Sequence, residues 1–107
     1  MFVQLKTMTV TEGNADKMVE RFSGEGIIEE QPGFIDLSIL HKKQRRGDEE
    51  ILILIRWESE EAWKAWETSD AHLAGHKAKR GQEAPSYIIS GKQDVYYVLG
   101  QKEKREG

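Results

Sequence analysis

Residues 57–80 hold all three tryptophans, Trp57, Trp63 and Trp66, and two of the three histidines, His72 and His76. Indole rings at helical spacing can build an apolar wall, and a neutral imidazole nitrogen is a good metal ligand, so the stretch suits a flat, iron-containing ligand. Gly75, beside His76, costs about 1 kcal/mol in a helix interior relative to alanine, which points to something approaching the backbone closely there. A macrocycle fits that description, and imidazole is a usual proximal ligand of haem iron. The plainer alternative is a His76 that packs on its helix or caps it. His72 and His76, four residues apart, could share zinc on one helix face, but no third ligand stands out and a solvent-facing His72 is the simpler reading. Trp63 is expected in the core, and Trp66, next to a helix break, at a cavity.

The elements that must position these side chains follow from periodicity and turn chemistry. FVQLKTMTV, residues 2–10, alternates with Val3 and Leu5 on one side and Gln4 and Lys6 on the other, which predicts a first strand. Thr11 can cap a helix through NADKMVERF, where Ala15, Met18, Val19 and Phe22 recur every three or four residues. Gly24 and Gly26 end it, and Gln31-Pro32-Gly33 is a turn before a second strand, residues 34–41, with Ile35, Leu37 and Ile39 on one face. KKQRRGDEE makes a hairpin tip around Gly47-Asp48, leading to a third strand over Ile51–Trp57. Ser59 caps a following helix with Glu60 and Glu61 in its first turn, and Thr68-Ser69-Asp70 breaks it and starts another to about Arg80. GQEAPSY, residues 81–87, forms a loop able to close over a cavity, and a last strand lies around Asp94–Leu99.

The order β-α-β-β-α-β, with the second helix split, is the ferredoxin-like α+β arrangement of helices on one face of an antiparallel sheet. Strand 3 is apolar at five successive positions, and Val95, Tyr97 and Leu99 alternate with Tyr96 and Val98, so neither sheet face is polar there. The chain has no residues left for a second sheet. A second copy, sheet against sheet, would cover the open face as a homodimer, a dimeric α+β barrel. One domain over residues 1–100 and a charged tail over 101–107 are expected for a chain of 107 residues.

Composition narrows the chemistry. With no cysteine, disulfides, thiolate metal sites and thiol nucleophiles are excluded. A net charge of −3 argues against nucleic acid as a partner, and Lys42, Lys43, Arg45 and Arg46 read as a solvated hairpin tip. No leader or membrane-spanning run is evident, which makes a cytoplasmic location the expectation. No Ser-His-Asp grouping or phosphate loop points to acyl or phosphoryl transfer.

The pattern resembles the IsdG-like haem-degrading monooxygenases of the antibiotic-biosynthesis-monooxygenase superfamily. The resemblance spans nearly the whole chain and rests on TVTEG, on ERF at Glu20–Phe22, on QPGF, and above all on W-x-S at 57–59 followed by WETSDAHLAGHK. It implies a dimer with one haem per subunit, haem being both cofactor and substrate, between the sheet and the helices. His76 would be the axial iron ligand, Trp66 would press on and ruffle the porphyrin, and Arg21 and Phe22 would add pocket wall and a propionate contact. Dioxygen and electrons from an external reductase would then open the ring at a meso carbon, releasing iron and an open-chain tetrapyrrole. The family's strand-1 asparagine corresponds to Lys6, with Gln4 on the same face. A charged lysine cannot accept a hydrogen bond but can donate one. Glu25 stands where some members carry an arginine. The alternatives are a non-catalytic haem-binding protein, a cofactor-free monooxygenase of a small aromatic substrate, and a dimerisation module without ligand.

Overall fold

A computed structural model describes the backbone of residues 1–79 and 85–105 and the side chains of these except residues 75–79. Four antiparallel strands, β1 (Phe2–Val10), β2 (Phe34–His41), β3 (Glu49–Trp57) and β4 (Ile88–Tyr97), form one sheet in the order β2-β3-β1-β4. Helices α1 (Ala15–Ser23), α2 (Glu60–Glu67) and α3 (Asp70–Lys79) complete the ferredoxin-like order. β1 occupies the centre, paired with β3 from Phe2 opposite Trp57 to Val10 opposite Glu49, and with β4 on its other edge. Its even-numbered residues share the face of Ile51, Ile53, Ile55 and Trp57, and this face carries the buried core with Phe2, Val10, Ala15 and Met18.

Turn chemistry behaves as the sequence demands at the two sharpest reversals. Gly33 has φ +84° and Gly47 φ +95°, a region that side chains with a Cβ rarely occupy. Ser59 caps α2, its Oγ accepting the backbone N–H of Ala62 at 3.1 Å. The helix breaks where expected: Thr68 donates back to the Lys64 carbonyl, and Ser69 Oγ accepts the His72 N–H at 3.2 Å to start α3.

Four local expectations change. The helix after β1 starts at Ala15, not at a Thr11 cap, because Gly13 at φ +87° cannot belong to a helical turn. Thr11 Oγ1 instead accepts the Asn14 side-chain amide at 2.6 Å. In β2 a register shift between Phe34 and Asp36 puts Phe34 on the inner face with Leu37 and Ile39 and leaves Ile35 exposed, since the extra residue of a bulge reverses the alternation before it. The last strand begins at Ile88, six residues earlier than its apolar pattern suggests, because the full length of β1 offers backbone partners to IISGKQ irrespective of its polarity. Leu99 lies beyond its end and is 97% exposed. Residues 81–84, more than half of the loop expected to close over a cavity, lie outside the described residues.

Candidate functional site

A cavity of about 720 Å³ opens between the inner face of β1–β3, the end of α1 with the segment after it, and the junction of α2 and α3. Its volume lies within the range of small-molecule and cofactor sites. The floor is apolar, from Phe34, Leu37 and Ile39 on β2 and Ile55 on β3, and Phe22, Ile28 and Trp66 supply walls. Two cations border it. Lys6 Nζ lies 5.9 Å and the Arg21 guanidinium 5.8 Å from the centroid of the Phe22 ring, within cation–π range of one face-bearing aromatic. β1 places Lys6 there because its even positions face the helices, and α1 places Arg21 and Phe22 in its last turn.

Gln4 is the one buried polar residue among those described, 1% exposed on the cavity floor. Its side chain is satisfied from two sides: Oε1 accepts Trp57 Nε1–H at 3.4 Å, and Nε2 donates to Glu67 Oε1 at 3.5 Å. Carboxylates also border the space, Asp36 and Glu29 among them. The Arg56 hydrogen bond, at 2.8 Å from Nε, holds Asp36 below the ordinary carboxylate range against a small opposing effect of burial. The backbone N–H of Gly26, 2.9 Å away, does the same for exposed Glu29.

Of the residues singled out from the sequence, Lys6, Arg21, Phe22 and Trp66 therefore meet at one cavity, joined by Gln4. His76 falls within α3, but its side chain lies outside the described residues. Glu25, in the place of the family's arginine, also borders the cavity. Trp63 packs beside the core as expected, 5.2 Å from Phe2. Its Nε1 is buried without a hydrogen-bond partner among the described residues. The solvent-facing reading of His72 is overturned. Its side chain is 14% exposed, lines the cavity, meets Glu67 Oε2 at 3.1 Å and stands edge-on to Trp66. The helix break turns α3 so that its first turn faces the cavity. Among the described residues no group of three metal-binding side chains comes together; the zinc reading pairs His72 with His76, whose side chain lies outside them. Glu67 was invisible as a site residue because its partners, Gln4 and His72, stand at no helical repeat from it. Gln4 lay with Lys6 on the polar side of the strand as the sequence reads, and only the pairing of β1 with β3 shows that this side faces the helices.

A ferredoxin-like sheet with one helical layer and a ligand-sized apolar cavity between them defines the class of α+β binding folds. The chain belongs to the antibiotic biosynthesis monooxygenase family, whose pattern matches residues 1–78. It is 59% identical to a Bacillus subtilis (strain 168) protein named heme-degrading monooxygenase HmoA, over 96% of this chain and 95% of that one. A heme-degrading monooxygenase of Bacillus thuringiensis (strain Al Hakam) is 33% identical over 92% of this chain and 90% of the relative. Among solved structures, a Bacillus cereus protein assigned to antibiotic biosynthesis monooxygenases superposes with TM-score 0.87 and 54% identity, covering 99% of this chain and 98% of that one. The heme-degrader MhuD of Mycobacterium tuberculosis, solved with two hemes in its active site, shares the fold at TM-score 0.68 and 22% identity, covering 96% and 100%.

Proposed function

We propose that this protein is a haem-degrading monooxygenase whose substrate, haem, occupies the cavity between sheet and helices. The observation that carries the reading is that cavity, with apolar residues on floor and walls and Lys6 and Arg21 at its border, in a chain 59% identical to an enzyme named for haem degradation. The residues fit the group. A porphyrin would bury its faces against Phe22, Ile28, Leu37 and Trp66, gaining about 25 cal/mol per Å² of apolar surface removed from water. Its two propionates would meet the two cations gathered around Phe22 and relieve their mutual repulsion. His76 on α3 would hold the iron and Trp66 would form a wall against the ring. Bound haem supplies the redox iron at which dioxygen chemistry occurs.

The chain's own residues then have distinct tasks. The apolar floor excludes water from the ring. Lys6, a donor only when charged, takes the position of the family's asparagine and would offer an N–H to an oxygen or a propionate of the ligand. Gln4, on the same face, has its carbonyl oxygen and one N–H committed to Trp57 and Glu67. A homodimer, an electron-donating reductase and a cytoplasmic location belong to the same proposal.

Haemin mixed with the protein and ascorbate in air tests it. The Soret band should decay faster than that of free haemin, with iron released. A band that persists selects the second reading, a haem-binding protein without turnover, which the donor-only Lys6 favours. His76→Ala should lose the imidazole-ligated spectrum while retaining the fold. An unchanged spectrum in that variant rules out His76 as the ligand.

A further inference from the structure

The break between α2 and α3 is crossed by a chain of polar contacts that haem binding does not itself require. Trp57 donates to Gln4 at 3.4 Å, Gln4 donates to Glu67 Oε1 at 3.5 Å, and Glu67 Oε2 meets His72 Nε2 at 3.1 Å. The His72 ring then stands against the Trp66 indole, 4.9 Å between centroids and 67° between planes. His72 and Glu67 are 14% and 27% exposed, so their contact is shielded from much of the water that weakens surface pairs. A carboxylate only accepts, so His72 must carry a proton on Nε2, and that fixes which edge of its ring turns to Glu67. Ser69 secures the backbone beneath, its hydroxyl donating to the Trp66 carbonyl at 2.7 Å and accepting the His72 N–H at 3.2 Å.

We infer that Glu67 and His72 are positioning residues: together they tie the α2–α3 break to Gln4 on the sheet and hold the Trp66 indole at one angle against the cavity. The argument is geometric. Trp66 is near the C-terminus of α2, where the next helix begins after two residues, and a short break of that kind leaves α3 free to pivot unless something crosses it. The carboxylate of Glu67 crosses it in one direction to β1 and in the other to α3. A wall so fixed presents one shape to a flat ligand, and immobilising it before binding lowers the entropy lost on binding. The consequence for turnover rests on the haem reading; the clasp itself is a property of the protein without ligand.

Both are tested with Glu67→Gln, His72→Phe and His72→Ala. In the ligand-free proteins, the three tryptophan indole N–H signals are followed by NMR, with Trp66 assigned from Trp66→Phe. His72→Ala should move and broaden the Trp66 signal while that of Trp63 stays. His72→Phe, which keeps a ring against the indole but no pair with Glu67, should fall between His72→Ala and wild type. Haemin should bind His72→Ala about tenfold more weakly, or roughly 1.4 kcal/mol. A Trp66 signal unchanged in His72→Ala overturns the clasp. If His72→Ala does not fold, the same signal in His72→Phe and Glu67→Gln decides. If wild type binds no haemin while the Trp66 signal still responds, the clasp stands and the haem reading falls.

Discussion

At Gly33 a backbone requirement and a packing requirement coincide. Its φ is +84°, and a Cβ built there would collide with Ala62 Cβ of α2, so the residue sets both the turn into β2 and how closely α2 approaches the sheet. Gly33→Ala is expected to destabilise the protein by about 1–3 kcal/mol from the left-handed backbone alone, with the collision adding to it, read from the midpoint of urea unfolding. A variant as stable as wild type would show that α2 can move away freely. The Gln-Pro-Gly signal was legible in the sequence; its contact with Ala62 was not, because nothing local encodes which helix crosses the turn.

At the scale of elements, caps and cross-strand pairs decide where helices and strands stop. Ser59→Ala removes the acceptor for the Ala62 N–H and should cost about 1 kcal/mol, measured by thermal or urea unfolding. Between the edge strand β2 and β3, Arg56 forks onto Asp36 through Nε and Nη2 and holds the Asp36 carboxyl below its ordinary value. A carboxyl whose folded value is lowered contributes stability that is full above its unfolded value and fades as pH falls through the folded one. Asp36→Asn should therefore be less stable than wild type at pH 7, by well under about 1 kcal/mol because both side chains are more than a third exposed, with the gap closing progressively below about pH 4. A gap that persists in acid would assign the effect to packing.

Across the whole molecule, the helices cover only one face of the sheet. On the other lie Leu5 opposite Leu54, Leu40 opposite Leu52, and Val3 opposite Tyr96, a stripe in which Tyr96 is 48% and Leu40 43% exposed. This is the face that the homodimer proposal covers with a second copy. Sedimentation should give twice the mass of the chain, and Leu54→Lys, at the centre of the stripe, should shift it towards one chain without altering the helical circular dichroism. A wild-type monomer at micromolar concentration would remove the dimer from the proposal. Among the described residues no helix is long and apolar enough to cross a membrane.

The sequence by itself determined the features that neighbours in the chain decide: the alternation of β1, the continuous apolar run of β3, the glycine turns at Gly33 and Gly47, the Ser59 cap, the Thr68–Asp70 break, and the absence of thiol chemistry. It also placed Trp66 at a cavity through its position beside the helix break, whereas Lys6 came in through the family resemblance. Only the tertiary structure decided that β4 starts at Ile88, that a bulge puts Phe34 in place of Ile35 on the inner face, that His72 faces inward, and that Gln4 and Glu67 contact each other. Those outcomes depend on partners far away in the chain, as Gln4 with Trp57 and Glu67. Hydrogen-bond partners and burial at such separations follow from how the elements pack, which no local pattern of residues records.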